Sequence, residues 1–489
     1  MAICAGASQI SLDGRRKFEI CVAPSRKRSG IMEVSMRILW LCNIMLPAIG
    51  EALGLPYSNR EGWLTGIYER ICKEKGKGND IKNGASTDGG SVSDGVRGNK
   101  RIELGICFPM EEMLFHSLGM KTGGRFRIGE AGVVCYALEE NLAAPEIYDN
   151  RIEGHIKEIL EDFKPDIVHI FGTEFPHTLA MVRAFGRPER TLVGIQGLCS
   201  ACADAYMADL PERVIQRKTF RDWLKKDSIP QQKEKFRIRG EREKEALKGV
   251  RHITGRTEFD RRETGKINSE ANYHFMNETM RSPFYSGRWK AEQCRPYSIF
   301  LSQGDYPLKG FHYVLRAMPE ILARYPKACV YVAGNNIIAH KSVKDKIKIS
   351  SYGKYLLELI KKYGLEKHVK ILGRLSADEM KKQFLKSSLY VCPSSLENSP
   401  NSVGEAMLLG VPVAAADTGG IPSMITDGKE GLLYPPGNVK KLAECIMRTW
   451  EEQEETLKRA EAARARALQT HDGNRNYERL LGIYEEILQ

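Results

Sequence analysis

Two glutamates that could do chemistry stand eight positions apart: Glu397 on a polar loop, and Glu405 about one turn into the helix that follows. The loop and the helix occupy residues 394–407, between the apolar runs 388–392 and 411–415. Strand, loop, helix and strand is the order typical of a parallel sheet, whose ligands bind at the carboxyl ends of its strands. We therefore expect both carboxylates to lie at a binding edge.

The same loop could hold a phosphate and a polyol together. The start of a helix offers unpaired N–H groups and the positive end of its dipole, so the backbone around Asn401, Ser402 and Val403 could bind phosphate. An ionised glutamate accepts hydrogen bonds from two vicinal hydroxyls. Phosphate and polyol together indicate a nucleotide sugar. The alternative is that Glu397 is a solvated loop residue and Glu405 a helix-surface residue.

The residues around this pair resemble glycosyltransferase family 4, the retaining GT-B enzymes. The likeness rests on Glu397, seven residues, Glu405, and then Ala406-Met407, Gly410-Val411-Pro412-Val413, Asp417-Thr418-Gly419-Gly420-Ile421-Pro422 and Gly428-Lys429-Glu430-Gly431-Leu432-Leu433. The resemblance implies an α/β fold in which two Rossmann-like, doubly wound parallel-sheet domains face each other across a cleft. It also implies a hexosyltransferase that moves a sugar from a nucleotide diphosphate sugar to an acceptor hydroxyl with retention of configuration.

A lysine ahead of the glutamates completes the donor site that the resemblance implies. Lys309-Gly310 stands where the family carries a cation that grips the donor diphosphate, but the position of the usual arginine before it holds Gln303 or Gly304. Backbone N–H groups or another cation must then supply the missing charge. The implied catalytic residues are Glu397, which accepts from the transferred sugar, and Lys309. The implied donor-binding residues are Glu405, for the ribose hydroxyls, and Gly304, Asn401, Ser402 and Val403.

Candidate acceptor residues follow the predicted strands of the N-terminal part of the chain, because such strand-to-helix turns lie at the binding edge. The usual second cleft histidine of the family is replaced by Phe171. Each candidate also has a purely structural interpretation, as a core anchor, a helix cap or a capping ion pair. The candidates are Gly62, Trp63, Thr173, Glu174, His177 and Arg256.

The order of these patterns predicts five segments along the chain. Residues 1–35 show no sustained period, and residues 74–100 are glycine-rich with almost no apolar side chains, which predicts disorder. The segments are a disordered or non-native extension (1–35), an N-terminal acceptor-binding domain (36–276) with a mobile insertion (74–100), a linker (277–296), a nucleotide-sugar-binding domain (297–470) and a C-terminal helix (471–489) that returns to the N-terminal domain by analogy.

Charge and composition limit the classes of binding partner that the sequence favours. The 489 residues carry a formal net charge of +12, which favours an anionic partner, but no recognised nucleic-acid module and no basic, aromatic stripe typical of one occurs. Residues 213–248 are basic with spaced aromatics, so they predict either a peripheral membrane contact or a solvated helical face. No apolar run is long enough to span a membrane and the start lacks signal-peptide order, which predicts a cytoplasmic protein or one at the inner face of the plasma membrane.

The expected co-substrate is a UDP- or GDP-linked sugar, with no cofactor and no metal. The expected acceptor is a glycan or a lipid-linked group, in polysaccharide, glycolipid or cell-envelope glycan synthesis. Cys199 and Cys202 lack the second pair that a structural zinc site needs, so two unrelated thiols are expected. Three alternatives stay open: a GT-B sugar-nucleotide epimerase, a pyridoxal-phosphate phosphorylase and a non-catalytic glycan-binding protein.

Overall fold

The computed structural model describes residues 36–55, 62–80, 102–121, 123–129, 131–207, 209–340 and 342–489, without the side chains of 62–63, 74–80 and 344. These ranges form two α/β lobes, each built on one sheet. The predicted extension 1–35 lies outside the described residues. The predicted insertion 74–100 is described only in part.

The N-terminal lobe is an eight-stranded sheet with helices on both faces. Its strand order is β3-β4-β2-β1-β5-β6-β7-β8, parallel except for the β3–β4 pair. Near-continuous apolar runs such as that of the first strand are typical of strands buried on both faces. The elements are β1 (Met36–Cys42), α1 (Pro47–Ala52), α2 (Gly62–Asp80), β2 (Ile102–Met110), α3 (Glu112–Ser117), β3 (Arg125–Ile128), β4 (Val133–Glu139), α4 (Arg151–Phe163), β5 (Ile167–Phe171), α5 (Pro176–Phe185), β6 (Thr191–Gly194), α6 (Cys199–Ala205), α7 (Glu212–Ile215), α8 (Phe220–Lys225), α9 (Ile229–Lys248), β7 (His252–Gly255), α10 (Glu258–Ile267) and β8 (Asn272–Phe275).

The C-terminal lobe is a six-stranded parallel sheet in the order β11-β10-β9-β12-β13-β14. Strands and helices alternate along the chain, as a parallel sheet requires. The elements are β9 (Arg295–Leu301), α11 (Phe311–Arg324), β10 (Cys329–Ala333), α12 (Val343–Lys348), α13 (Ser351–Lys362), β11 (Val369–Gly373), α14 (Ala377–Lys386), β12 (Ser387–Cys392), α15 (Asn401–Leu409), β13 (Val413–Ala416), α16 (Ile421–Met424), β14 (Leu432–Tyr434), α17 (Val439–Glu451), α18 (Gln453–Thr470) and α19 (Gly473–Leu488). Short 3₁₀ helices lie at Pro188–Arg190, Ser282–Tyr285, Ala291–Gln293 and Pro307–Lys309.

The predicted insertion starts later than the composition indicates. Helix α2 continues to Asp80, seven residues beyond the expected boundary, and 81–101 lie outside the described residues. The helix has a well-packed beginning, because Leu64, Ile67 and Ile71 are buried. Lysine and glutamate have high helix propensity, so those just after Cys72 extend this helix beyond its packed turns.

Each lobe contributes residues to the core of the other. Leu480 and Tyr484 of α19 are buried among apolar side chains of the N-terminal lobe, where the Tyr484 hydroxyl accepts a 2.9 Å hydrogen bond from Trp40 Nε1. In the opposite direction, Tyr206 and Val214 pack in the core of the C-terminal lobe. These exchanged contacts bury apolar area between the lobes, and this burial holds the two lobes together.

Candidate functional site

A cavity of about 340 Å³ lies where the carboxyl ends of β9 and β12 meet the segment before β9. This volume falls within the range of small-molecule pockets. Five residues predicted from the sequence line it together: Lys309, Glu397, Asn401, Ser402 and Glu405. Other lining residues, which the sequence did not single out, include Met280, Arg281, Ser302, Tyr390 and Ser394.

A partly buried ion pair joins Lys309 and Glu397 in the cavity wall, with side chains 20% and 12% exposed. Lys309 Nζ donates to Glu397 Oε1 at 2.5 Å, and the hydroxyl of Ser394 donates to the same oxygen at 2.6 Å. Burial disfavours the charged lysine, but the Glu397 carboxylate outweighs it and raises the pKa of Lys309 well above its ordinary value. The cavity therefore contains a permanently charged ammonium group.

Glycine at position 310 permits this placement of Lys309. Gly310 adopts φ of +67°, and a Cβ atom built on it would lie 1.9 Å from the carbonyl oxygen of Pro393. Only glycine lets the turn after Lys309 approach the end of β12 this closely. The adjacent Lys309 is thereby held within reach of the loop that carries Glu397.

A second ion pair joins Glu405 to Arg281. Arg281 Nε and Nη2 donate to Glu405 Oε1 at 2.8 Å and 2.5 Å. Glu405 is buried on α15, and burial raises the pKa of its carboxyl group although Arg281 lowers it. Sequence reasoning missed Arg281, since an arginine in a proline-containing linker carries no motif that assigns it to a site.

The amino end of α15 faces the cavity through Asn401 and Ser402. Ser402 Oγ accepts a 2.7 Å hydrogen bond from Tyr390, whose hydroxyl also lies 3.0 Å from Ser302 Oγ. The helix begins after Pro400 without a side-chain cap, which suits an exogenous anion at this end. Side-chain hydrogen bonds thus hold the first turn of α15 in place. The backbone N–H groups of this turn point toward the amino end of the helix.

The other two predicted donor residues do not line the cavity with side chains. Val403 is fully buried in the core of the C-terminal lobe. A Cβ atom at Gly304 would lie 3.0 Å from Val332 and 3.1 Å from Phe311, so this turn is also closely packed. Neither residue lines the cavity, and the Val403 N–H donates to the Pro400 carbonyl at 3.0 Å.

Arg256 is placed between the lobes rather than in the cavity lining. From the end of β7 it donates to Asn401 Oδ1 at 2.6 Å and to the Ser399 carbonyl at 2.8 Å, and it pairs with Glu278 at 3.0 Å. Nearby, Asn398 donates to Asp260, and burial raises the pKa of Asp260 to about 6. The loop that carries Glu397 is therefore held from the N-terminal lobe.

Three predicted acceptor residues after β5 lie in packed surroundings away from the cavity. The Thr173 hydroxyl donates to Glu243 at 2.7 Å. His177 is fully buried, with Nδ1 2.6 Å from Glu140 Oε2, and Glu174 accepts a 2.5 Å bond from Asn43. The described contacts of Thr173 and His177 are thus internal.

Gly62 begins α2, whereas the side chain of Trp63 lies outside the described residues. Phe171, which replaces the second histidine of the family, is buried with its ring 5.0 Å from Trp40 and 3.9 Å from His169. An aromatic residue at this position serves the core. Position 171 therefore offers no polar group in place of the histidine that the family usually carries there.

Side chains spaced to hold a metal ion occur, within the described ranges, at Glu112, His116 and Glu139, which do not line the cavity.

Cys199 and Cys202 both lie in α6 as free thiols. Burial raises the pKa of Cys202 to about 12, and that of Cys199 further above its ordinary value. Both thiols therefore stay protonated. Among the described helices, none is long and apolar enough to cross a membrane.

Two doubly wound sheets with this cavity define the class of protein: the GT-B glycosyltransferase fold, as predicted from the sequence. HepE from Anabaena, solved in complex with UDP-glucose, shares the fold with a TM-score of 0.58 over 92% of this chain and 100% of HepE, at 15% identity. Residues 287–466 match the model of the glycosyl transferases group 1 family. The matched region carries most of the cavity, so the resemblance drawn from the Glu397–Glu405 motif is confirmed at the level of group 1 glycosyltransferases.

Curated relatives match over part of their length. Spore coat protein SA from Bacillus subtilis strain 168 is 26% identical over 182 residues, which are 37% of this chain and 46% of the relative. The amylovoran biosynthesis glycosyltransferase AmsK from Erwinia amylovora is 28% identical over 129 residues, 25% of this chain and 32% of AmsK. The chain thus spans less than half the length of these relatives.

Proposed function

We propose that this protein is a retaining glycosyltransferase that moves a hexosyl group from a UDP- or GDP-linked sugar to an acceptor hydroxyl. The observation that carries the proposal is the single cavity in which the Lys309–Glu397 pair, Glu405 and the amino end of α15 meet. A cation, a helix dipole and two carboxylates suit a ligand that combines phosphates with hydroxyl groups. The family match and the GT-B fold support the same conclusion.

In the proposed reaction, the bond between the anomeric carbon and the donor diphosphate breaks, and a bond from the acceptor oxygen to that carbon forms on the same face. The acceptor proton passes to the departing phosphate oxygen. Negative charge develops on that oxygen, where Lys309 and the N–H groups at Asn401 and Ser402 stabilise it. No group of the protein needs to form a covalent intermediate in this scheme.

The two glutamates have different proposed partners. Glu405, on the helix, accepts hydrogen bonds from the ribose of the donor. Glu397, on the loop, accepts from the transferred sugar and keeps the Lys309 ammonium beside the diphosphate. The contacts of Arg256 with Asn401 and of Asp260 with Asn398 hold the same loop from the N-terminal lobe.

The proposed acceptor is a glycan or a lipid-linked group; the relative AmsK is named as a glycosyltransferase of amylovoran biosynthesis. In the structure, the basic segment 213–248 forms most of helix α7 and all of helices α8 and α9. Its helix α8 exposes Phe220, Trp223 and Leu224 by 59%, 69% and 65%, next to exposed Lys225 and Lys226. Exposed aromatics beside lysines favour an anionic bilayer surface, so we place the proposed membrane contact on α8.

The activity is tested with a panel of UDP-, GDP- and ADP-linked sugars, scored for nucleotide release with and without a membrane extract as acceptor source. We expect release that depends on the extract with one donor base, and loss of release in Glu397→Ala. An epimerase would instead convert the donor without any acceptor. Glycan binding without nucleotide release from any donor would refute the transferase.

The membrane contact is tested by co-sedimentation with vesicles of phosphatidylcholine alone or with added phosphatidylglycerol. We expect binding to the anionic vesicles only, and its loss in Trp223→Ser/Leu224→Ser. Met113→Ser is the matched control, because Met113 is 84% exposed in the same lobe but lies outside α8. Equal sedimentation of the double variant and the wild type would refute the contact.

A further inference from the structure

The candidate donor cavity has two cationic side chains in its lining, Lys309 and Arg281, each paired with one glutamate. The neutral Gln303 also lines it, and Gln303 or Gly304 holds the position where resemblance to the family led us to expect an arginine. The pairs Lys309–Glu397 and Arg281–Glu405 make the four side chains neutral in sum. A nucleoside diphosphate brings at least two negative charges, so the position of the second cation decides how they are bound.

Arg281 is held firmly although it precedes the second sheet in a connecting segment. Its neighbour Met280 is buried in the core of the C-terminal lobe, as is Phe284, over whose ring the Arg281 guanidinium lies at 4.8 Å. The Tyr285 hydroxyl accepts from the Met280 backbone at 2.9 Å and donates to the His471 carbonyl at 2.6 Å. These contacts fix the backbone on both sides of Arg281.

The Arg281 guanidinium has N–H donors that Glu405 does not use. Glu405 Oε1 takes Nε and one N–H of Nη2, and among the described residues Nη1 has no hydrogen-bond partner. An arginine offers five N–H donors in a rigid fork that matches phosphate geometry. The side chain is 19% exposed, toward the cavity that it lines. Glu405 thus orients the fork while its outer donors stay available.

We propose that Arg281 binds the diphosphate of the donor and so supplies the cation that Gln303 does not. This proposal rests on the proposed function, since it assigns a diphosphate ligand to the same cavity. Glu405 then has two tasks: Oε1 orients Arg281, and Oε2 accepts from the ribose. Arg281 contacts substrate directly, whereas the Glu405–Arg281 pair couples recognition of the ribose to recognition of the phosphates.

The test compares the affinities of full-length wild type and Arg281→Ala for uridine, UMP and UDP, or the guanosine series if the donor panel selects GDP, by calorimetry. We expect a loss of about 10- to 100-fold for the diphosphate, because charge-assisted hydrogen bonds are lost, and a change of less than about threefold for the nucleoside. Arg288→Ala is the matched control, as Arg288 lies in the same segment but pairs on the surface with Glu461. It should bind all three ligands like the wild type.

A merely structural role would give another pattern. If Arg281 only orients Glu405, Arg281→Ala weakens the nucleoside and the diphosphate by the same factor, and the proposal is wrong. Arg281→Ala/Glu405→Gln covers the case in which an unpaired buried glutamate unfolds the single variant. We expect its preference for UDP over uridine to be about 10- to 100-fold smaller than that of Glu405→Gln alone, because Lys309 and the start of α15 still bind the phosphates, and equal preferences in the two variants would overturn the proposal.

The two proposals fail differently. Equal UDP affinity in the wild type and in Arg281→Ala, with intact sugar transfer, removes the role of Arg281 and leaves the proposed function standing. Absence of nucleotide binding in the wild type removes both.

Discussion

The guanidinium of Arg256, at the end of β7, donates a 2.6 Å hydrogen bond to Oδ1 of Asn401, the first residue of α15. The two residues belong to different lobes and are far apart in the sequence. The Arg256 side chain is only 6% exposed and also pairs with Glu278. The start of the helix proposed to bind phosphate is therefore positioned by the opposite lobe.

Replacing Arg256 tests this contact. Arg256→Ala leaves Glu278 buried without its cation, so we expect a loss of about 3 kcal/mol in the free energy of unfolding and a raised donor KM. Arg256→Lys should recover little, because one ammonium cannot reach Asn401, Ser399 and Glu278 together. Denaturant unfolding and donor kinetics measure both effects. Arg261→Ala, from an exposed pair with Glu258, is the control, and an unchanged donor KM in Arg256→Ala would contradict the expectation.

Single substitutions at Glu397 and at Lys309 should affect catalysis and nucleotide binding differently. We expect Glu397→Gln to lower kcat about 100- to 1,000-fold while UDP affinity changes little, because the glutamine keeps the shape but no longer fixes the ammonium. Lys309→Met should lower both, since it removes the cation beside the diphosphate and leaves the partly buried Glu397 charge without its partner. Steady-state kinetics and calorimetry separate the two. The exposed Lys367→Met is the control, and full activity of Lys309→Met would refute its role.

The buried Asp260 predicts a pH-dependent stability. Its folded pKa of about 6 exceeds its ordinary value of 3.8, so the folded state binds the proton more tightly, and the stabilisation that is complete below pH 3.8 is lost as the pH rises through 6. Relative to Asp260→Asn, the wild type should lose up to about 3 kcal/mol of unfolding free energy between pH 4 and pH 7. Urea unfolding across this range measures the difference, with the exposed Asp378→Asn as control. A difference independent of pH would contradict the expectation.

A glycine behind the Glu397 loop offers a steric test. A Cβ atom at Gly419 would lie 1.9 Å from the Glu397 carbonyl oxygen, whereas one at Gly428 meets nothing within 4 Å. Both have positive φ, so alanine at either costs about 1–2 kcal/mol of backbone strain. Only Gly419→Ala must also displace the loop, and we expect it alone to lose donor affinity and transferase activity. Equal activity of the two variants would show that the loop position does not matter.

Much of the C-terminal lobe could be predicted from the sequence. The strands around 388–392 and 411–415 are unbroken apolar runs, and the polar stretch between them has the length of one loop and one helix. The likeness in motifs then assigned Glu397, Glu405 and Lys309 to one site, and the structure brings all three to one cavity. Local patterns suffice here, because a parallel sheet places consecutive loops at the same edge.

The acceptor side was less predictable. Thr173 and His177 follow a strand as a binding residue would, yet Glu243 and Glu140, distant in the sequence, satisfy their polar atoms internally. A buried polar group must find such a partner, and no local pattern shows which residue provides it.

The sequence alone therefore determined the alternation of strands and helices, since this depends on residue order and local spacing, and its resemblance in motifs predicted the GT-B class. Only the tertiary structure decided that Arg281 pairs with Glu405 and that Arg256 holds Asn401 from the opposite lobe. The physical reason is that a charge acts over a few ångströms of space, whatever its distance along the chain. The fold thus determines which arginines of a basic sequence lie beside Glu405 and Asn401.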